Sequence, residues 1–515
     1  MKLKYILITI LIGIITYLPS LFGQFVWDDE DFVNQNTYVI SHRYDKFFTS
    51  QAIEGRGKLS NYYRPIQMSA YSLVHQLVGF NPPVYHAINI IVHIAAALVL
   101  YYFLLTLTSL PLISYISSIL FLIHPLQTEA VSYVSGLSDP LVALFGFLSL
   151  TFFIKSARHP LFLIVSLLAF ILSLLSKEIG LAFFGILVLL AVLKKRPLTS
   201  LLPFFLSSVI YLLFHLQNIN VLDMTKVWGS TPYANSISIR IATFIQNIFL
   251  YLGLFFFPKD LHMERDLTTQ IQYSFLNPYT FFFILLLGIG IIYFWKKRKD
   301  DKNPLKLFAL GGFFITLLPY SGIILINGIF YEHFLYIPIA FLSLFLVLTL
   351  QHTYKHVIAS HSHGAAIFTK KSLLNISILI AIILILRSYL RQHDWIDPVR
   401  FYTHTLSYAP DSIRIRNGLG MAYSDSKQYD KALESFDDVI AREPHLPNSY
   451  HNKGNIYSAL GKFTEAEVEY KKALSVDPSF TFSVFALYYL YQKSNQPEKL
   501  NNLKLSHPNT LDFKH

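Results

Sequence analysis

What most constrains this chain is the recurrence of apolar stretches long enough to cross a bilayer. A helix spans the hydrocarbon layer with about 17–25 residues. Such stretches fall at residues 3–22, 84–107, 110–124, 138–155, 160–176, 179–193, 198–217, 237–258, 277–295, 304–326, 332–351 and 372–390. The expected fold class is therefore all-α: a polytopic membrane domain at 1–392, followed by a smaller domain at 393–515. Composition agrees, since 53% of the 515 residues are hydrophobic and only 14% charged, where a soluble domain carries roughly a quarter charged residues. The net charge of +11 sits at the ends of the apolar stretches, where topology accounts for it and nucleic acid does not. With no cysteine in the chain, disulfides, thiol nucleophiles and thiolate metal sites are excluded.

Loops rich in Lys and Arg stay cytoplasmic, so Lys2/Lys4, Lys155/Arg158, Lys194–Arg196, Lys296–Lys299 and the loop from His352 to Lys371 mark one side. Lys2 and Lys4 also resemble the start of a signal peptide, but Pro19–Gly23 offers no small-x-small cleavage site, and an uncleaved first span is expected. Between Arg196 and Lys296 the number of crossings must be even, yet three apolar stretches intervene. Residues 237–258, carrying Arg240, Gln246 and Asn247, are read as an interfacial or re-entrant helix. About eleven spans remain, with the N-terminus cytoplasmic and the C-terminal tail outside; a bacterial inner membrane with a periplasmic tail fits. Four loops then share the external face: 23–83, about 125–137, 218–276 and 327–331.

The tail repeats itself. Gly420/Gly454, Tyr423/Tyr457, Ala432/Ala466, Phe436/Tyr470 and Pro444/Pro478 are each 34 residues apart, the tetratricopeptide period. Trp395, Phe401, Tyr402 and Pro410 form a partial unit before them, and a degenerate unit starts at Thr481. The repeats offer a surface for a peptide or protein, or simply a packed neighbour for the membrane domain.

The first external loop opens on Trp27-Asp28-Asp29-Glu30-Asp31. These four acids could be a solvated loop, could hold a divalent ion through oxygen ligands, or could supply a general base at the membrane surface; a metal-free base is the favoured reading. Arg64 in Tyr62-Tyr63-Arg64-Pro65 could bind a phosphate bidentately or a lipid headgroup.

Five stretches together resemble the C-type membrane glycosyltransferases, most closely the transmembrane and tetratricopeptide-repeat O-mannosyltransferases and their bacterial relatives. They are Val26-Trp27-Asp28-Asp29; Tyr63-Arg64-Pro65 with Tyr85–Asn89 and His93; His124-Pro125 with Glu129-Ala130-Val131 and Gly136–Asp139; Lys177-Glu178; and Tyr331–Pro338. The resemblance implies transfer of a sugar, mannose favoured, from a polyprenyl-phosphate donor to an acceptor hydroxyl, on protein Ser/Thr or a glycan, by inverting displacement and without a cofactor. It implies Asp28 as catalytic base with Asp29 as fallback, Arg64, Lys177 and His333 at the donor phosphate, and His124, Glu129, Asp139, Glu178 and Tyr336 as positioning groups. Two positions depart from the family pattern: Leu137 and His333 stand where relatives carry Arg.

Each residue also has a plainer role. His124 could be an interfacial histidine, Glu129 and Asp139 loop solvators, and Lys177-Glu178 a local ion pair. His86 and His93 suit packing, and His352, His356, His361 and His363 suit a solvated linker. A non-enzymatic membrane-anchored repeat scaffold or assembly factor is the competing reading of the whole chain. A transporter would want ionisable groups at mid-membrane depth.

Overall fold

The computed structural model describes residues 3–58, 60–218, 229, 231–296, 303–359 and 363–507, and the side chains of 352–374 lie outside the description. The histidine tract therefore falls beyond the described side chains. Among the described residues there are helices and no strands, and the chain divides into two compact units, Met1–Asp397 and Pro398–His515.

Each of the twelve apolar stretches contains a helix. Proline stands first in the helices Pro65–Val78, Pro82–Thr108, Pro111–Ile123, Pro278–Lys296 and Pro338–Ala359, where its missing N–H costs nothing and its fixed φ suits the first turn. Among the described residues, seven helices are long and apolar enough to cross a membrane: Leu3–Phe22, Pro82–Thr108, Val134–Lys155, Leu198–Gln217, Ile237–Phe256, Pro278–Lys296 and Asn375–Trp395. Pro111–Ile123 and Pro125–Ser132, bent by 54° at His124, make an eighth if counted as one span, and Leu161–Leu174, Glu178–Leu193 and Pro338–Gln351 are shorter apolar helices. Only 6% of the Pro278–Lys296 window is buried; a helix apolar on every face and so little covered by protein requires lipid around it.

Two expected boundaries are corrected. The stretch 304–326 is helical only over Asn303–Leu317 and turns at Leu318–Tyr320, because Pro319 cannot continue the helical bonding and Gly322 takes φ +77°. The stretch 332–351 becomes a continuous helix only at Pro338. Residues 318–337 are thus mostly loop.

The helix Ile237–Phe256 lies along one end of the membrane unit. Arg240 Nη1 donates to the Ala234 carbonyl at 2.6 Å, Asn247 to Ile329 O at 3.0 Å, Tyr251 Oη to Tyr331 O at 3.3 Å, and Phe255 O accepts from His124. Its length and composition suffice for a crossing, and its Arg240, Asn247 and Tyr251 side chains bond to loop backbone.

The loop of residues 23–83 is folded. Phe32, Val33, Val39, Phe47, Met68, Tyr71 and Tyr85 bury one another, and Asn36 caps Thr37–Ile40 through its side-chain oxygen. The acidic segment is therefore carried on a packed platform.

In the second unit the helix pairs Ile413–Asp425/Tyr429–Arg442, Pro447–Ala459/Phe463–Val476 and Thr481–Lys493/Pro497–Ser506 follow one another. The 34-residue pattern acquires its reason here: a Cβ on Gly420 would lie 2.7 Å from the Phe436 ring, and one on Gly454 2.5 Å from Tyr470. Small residue and aromatic ring are the two halves of one contact. Gly454→Ala is expected to cost about 1–3 kcal/mol by overpacking, seen as faster proteolysis of the repeat unit in the full-length chain, while Gly461→Asn, at φ +75° in an open turn, should be nearly neutral.

Candidate active site

The loops that charge topology assigns to the external face meet at one end of the membrane unit, and neighbouring acids in them are put to different uses. Asp29 is fully buried. Its Oδ1 accepts from the Ser135 N–H at 2.8 Å and the Ser135 hydroxyl at 2.6 Å, and its Oδ2 from the Val26 N–H at 2.9 Å. These bonds tie the first of the four loops to the second and hold Trp27 at φ +56°. Asp28 is half-buried, and its carboxylate acts electrostatically on the hydroxyls of Tyr62, Tyr133 and Tyr331, each from a different loop. Asp31 pairs with Lys58 at 2.7 Å, and Glu30 accepts from Gln35 at 3.4 Å. The four acids thus point to separate partners, and among the described residues no group of three His, Cys, Asp and Glu side chains is gathered as for a metal.

Burial pushes the Asp29 carboxyl up to about 7, against the pull of its three donors. A raised carboxyl favours the protonated fold, so the stability that Asp29 contributes is full below its unfolded value of 3.8 and declines as pH rises through about 7. The thermal midpoint of wild type relative to Asp29→Asn is accordingly expected to be more favourable at pH 5 than at pH 8.

Arg64 comes next to this segment. Its guanidinium lies 4.4 Å over the Tyr62 ring, its Nε is 3.8 Å from Glu178 Oε2, and its side chain is 11% exposed. That Nε is buried without a hydrogen-bond partner. Glu178 also accepts from the Tyr63 N–H at 3.2 Å, so the pair fixes the turn that presents Arg64. Lys177 points to Asp139, its Nζ 2.8 and 2.7 Å from the two carboxylate oxygens, with both side chains buried. Burial holds the Lys177 ammonium below its ordinary value, opposed by Asp139. Two of its three donors go to Asp139, so the pair joins the start of one helix to the turn after another.

His333 is bound by Glu129. Its Nδ1 is 2.7 Å from Glu129 Oε1, its backbone N–H donates to Oε2 at 3.1 Å, and its ring stacks on Tyr331 at 5.3 Å. The neighbouring Glu332 faces the other way, wholly buried. It accepts from the His262 N–H at 2.7 Å and pairs with Arg265 at 3.2 Å and Arg391 at 3.6 Å. Asp266 accepts from the N–H groups of Ile329 and Phe330 at 2.9 and 2.8 Å, which holds the loop that carries Tyr331.

Asp28, Asp29, Arg64, Glu129, Asp139, Lys177, Glu178 and His333 therefore share this end of the unit. His124 and Tyr336 are turned into the helix packing. His124 Nε2 donates to Phe255 O at 2.9 Å while Nδ1 accepts from the Leu126 N–H, and Tyr336 Oη bonds His93 Nδ1 at 2.6 Å. Ser135, Tyr62, Tyr133, Tyr331, Arg265, Asp266 and Arg391 are additions that sequence reasoning passed over. Tyr62 and Tyr331 lie inside the quoted motifs, but nothing in the chain marks Arg265 as the partner of a carboxylate 67 residues away.

Fold and site together define a polytopic membrane protein with a loop-built polar site at one end of its helices and a tetratricopeptide tail. The tetratricopeptide repeat model matches residues 413–445 and 447–480. The chain is similar to Protein O-mannosyl-transferase F38B6.6 of Caenorhabditis elegans, 26% identical over 86% of this chain and 63% of that protein. It is also similar to Protein O-mannosyl-transferase TMTC3 of Homo sapiens, 25% identical over 92% of this chain and 55% of that protein. The likeness runs through the membrane domain into the repeats, and the chain spans between about half and two thirds of the length of these relatives.

Proposed function

We propose that this chain is a membrane glycosyltransferase that moves a sugar, mannose favoured, from a polyprenyl-phosphate donor to a Ser or Thr hydroxyl of a protein. The observation that carries the reading is the division of labour between adjacent carboxylates: Asp29 is fully buried against Ser135, whereas Asp28 is half-buried and acts electrostatically on three phenols, one of which, Tyr62, lies under the Arg64 guanidinium.

In the proposed step Asp28 takes the proton of the acceptor hydroxyl as its oxygen attacks the anomeric carbon. The bond from that carbon to the phosphate oxygen breaks, and the phosphate leaves with the electron pair, so the anomeric configuration inverts. Positive charge at the departing phosphate is what such a site must supply. Arg64, whose Nε has no hydrogen-bond partner, is the first candidate, and His333, oriented by Glu129, is the second. Lys177 contributes by holding Asp139. A catalytic metal is not part of the scheme. The repeats would engage the protein acceptor. The loop end is assigned to the exterior, a periplasm if the membrane is a bacterial inner one, and the Lys/Arg end to the cytoplasm.

The test is consumption of radiolabelled polyprenyl-phosphate mannose, with glucose and nucleotide-linked sugars alongside, by the purified chain and a membrane extract as acceptor. Label moving to protein from the lipid-phosphate donor alone is the expected result. No donor consumed would favour a repeat-bearing scaffold.

A further inference from the structure

At the end of the membrane unit opposite Asp28, two of the turns hold five cations that the proposed reaction leaves unused. Lys155 and Arg158 lie where the Val134–Lys155 helix turns into Leu161–Leu174, and Lys194, Lys195 and Arg196 follow the Glu178–Leu193 helix. No Asp or Glu occurs in residues 79–128, 140–176 or 179–222, so the three turns at this end hold no carboxylate of their own.

Topology accounts for Lys and Arg in each loop separately; it does not account for their convergence. Lys194 Nζ donates to Leu107 O at 3.0 Å, Arg196 Nη2 to the Ser156 hydroxyl at 3.1 Å, and Lys155 Nζ to the Tyr102 hydroxyl. Lys155 Nζ is 4.4 Å from the Tyr102 ring centre, and the Arg196 guanidinium 5.9 Å from that of Phe153. Arg196 Nε is buried without a hydrogen-bond partner. A cluster of cations drawn from two loops against the end of a third helix, with no carboxylate in those turns and a buried donor to spare, suits a phosphate.

We propose that this end binds the phosphate of an anionic phospholipid headgroup from the surrounding leaflet. A lipid is preferred to free phosphate because the flanks are apolar and outward: Leu112 is 70% exposed, Val192 64%, Leu198 63% and Leu161 55%, giving acyl chains a surface below the cations.

Native mass spectrometry of the purified full chain, with phosphatidylglycerol and phosphatidylcholine supplied equally, tests this. Wild type should retain phosphatidylglycerol preferentially. Lys155→Gln with Arg196→Gln should weaken that preference by about fivefold for each cation removed, at about 1 kcal/mol per charge near the membrane surface, whereas Lys155→Arg with Arg196→Lys should preserve it. Equal retention of both lipids by wild type, an unchanged ratio in the Gln variant, or displacement of the lipid by millimolar inorganic phosphate would each overturn the proposal. If the Gln variant fails to fold, the wild-type ratio and the phosphate competition still decide.

Discussion

Asp28→Asn is expected to lower sugar transfer by about 10³-fold, the usual scale for removing a positioned general base, and to leave the protein folded. Asparagine keeps the shape, and Asp28 is half-buried where Asp29 is fully buried. Asp29→Asn should behave differently. Asp29 meets only donors, two from Ser135 and one from Val26. An amide in its place turns an N–H towards one of them, which loosens the Trp27–Asp28 segment and lowers thermal stability together with transfer. Initial rates and melting curves on both variants separate the two roles. Equal rates for Asp28→Asn and wild type would remove Asp28 from the chemistry.

The second large effect concerns stability. Lys177 and Asp139 are 8% and 4% exposed and 2.7 Å apart. Asp139→Leu leaves an ammonium buried among apolar side chains, and Lys177→Met leaves a carboxylate in the same condition. Removing one partner of a buried pair costs about 3–5 kcal/mol, while replacing both by apolar residues of similar volume is often neutral. The double variant Asp139→Leu/Lys177→Met should therefore recover most of what either single variant loses in detergent-solubilised melting experiments. If Lys177 contacted the donor phosphate, the double variant would regain stability and still show a raised KM for the donor; pairing with Asp139 alone predicts KM close to that of wild type.

Much of this architecture was legible in the chain because the signals were local. Apolar length gave the helices, and the 34-residue spacing gave the Gly454/Tyr470 and Gly420/Phe436 contacts. Lys and Arg placement grouped the loops, and side chains do meet within two of those groups, Asp29 with Ser135 in one and Arg196 with Ser156 in the other. The helical limits around residues 318–337 were misjudged because hydropathy stays high through Pro319 and Gly322 although backbone chemistry ends the helix there. The site was legible as residue types and much less as pairings. Which of Asp28 and Asp29 is buried depends on Ser135, 106 residues away. Glu332 and His333 are adjacent in sequence yet turn to different partners, Arg265 and Arg391 for one, Glu129 for the other. Such pairings arise when loops from distant helices fold over one another, which no window along the sequence records.

The most direct measurement is the anomeric configuration of the product, read by NMR after the purified chain transfers mannose from an anomerically pure polyprenyl-phosphate donor to a Ser/Thr-bearing acceptor. The account predicts a mannose on the hydroxyl oxygen with configuration opposite to that of the donor, formed by wild type and lost with Asp28→Asn. A product with retained configuration, or no transfer from any lipid-phosphate donor, would contradict it.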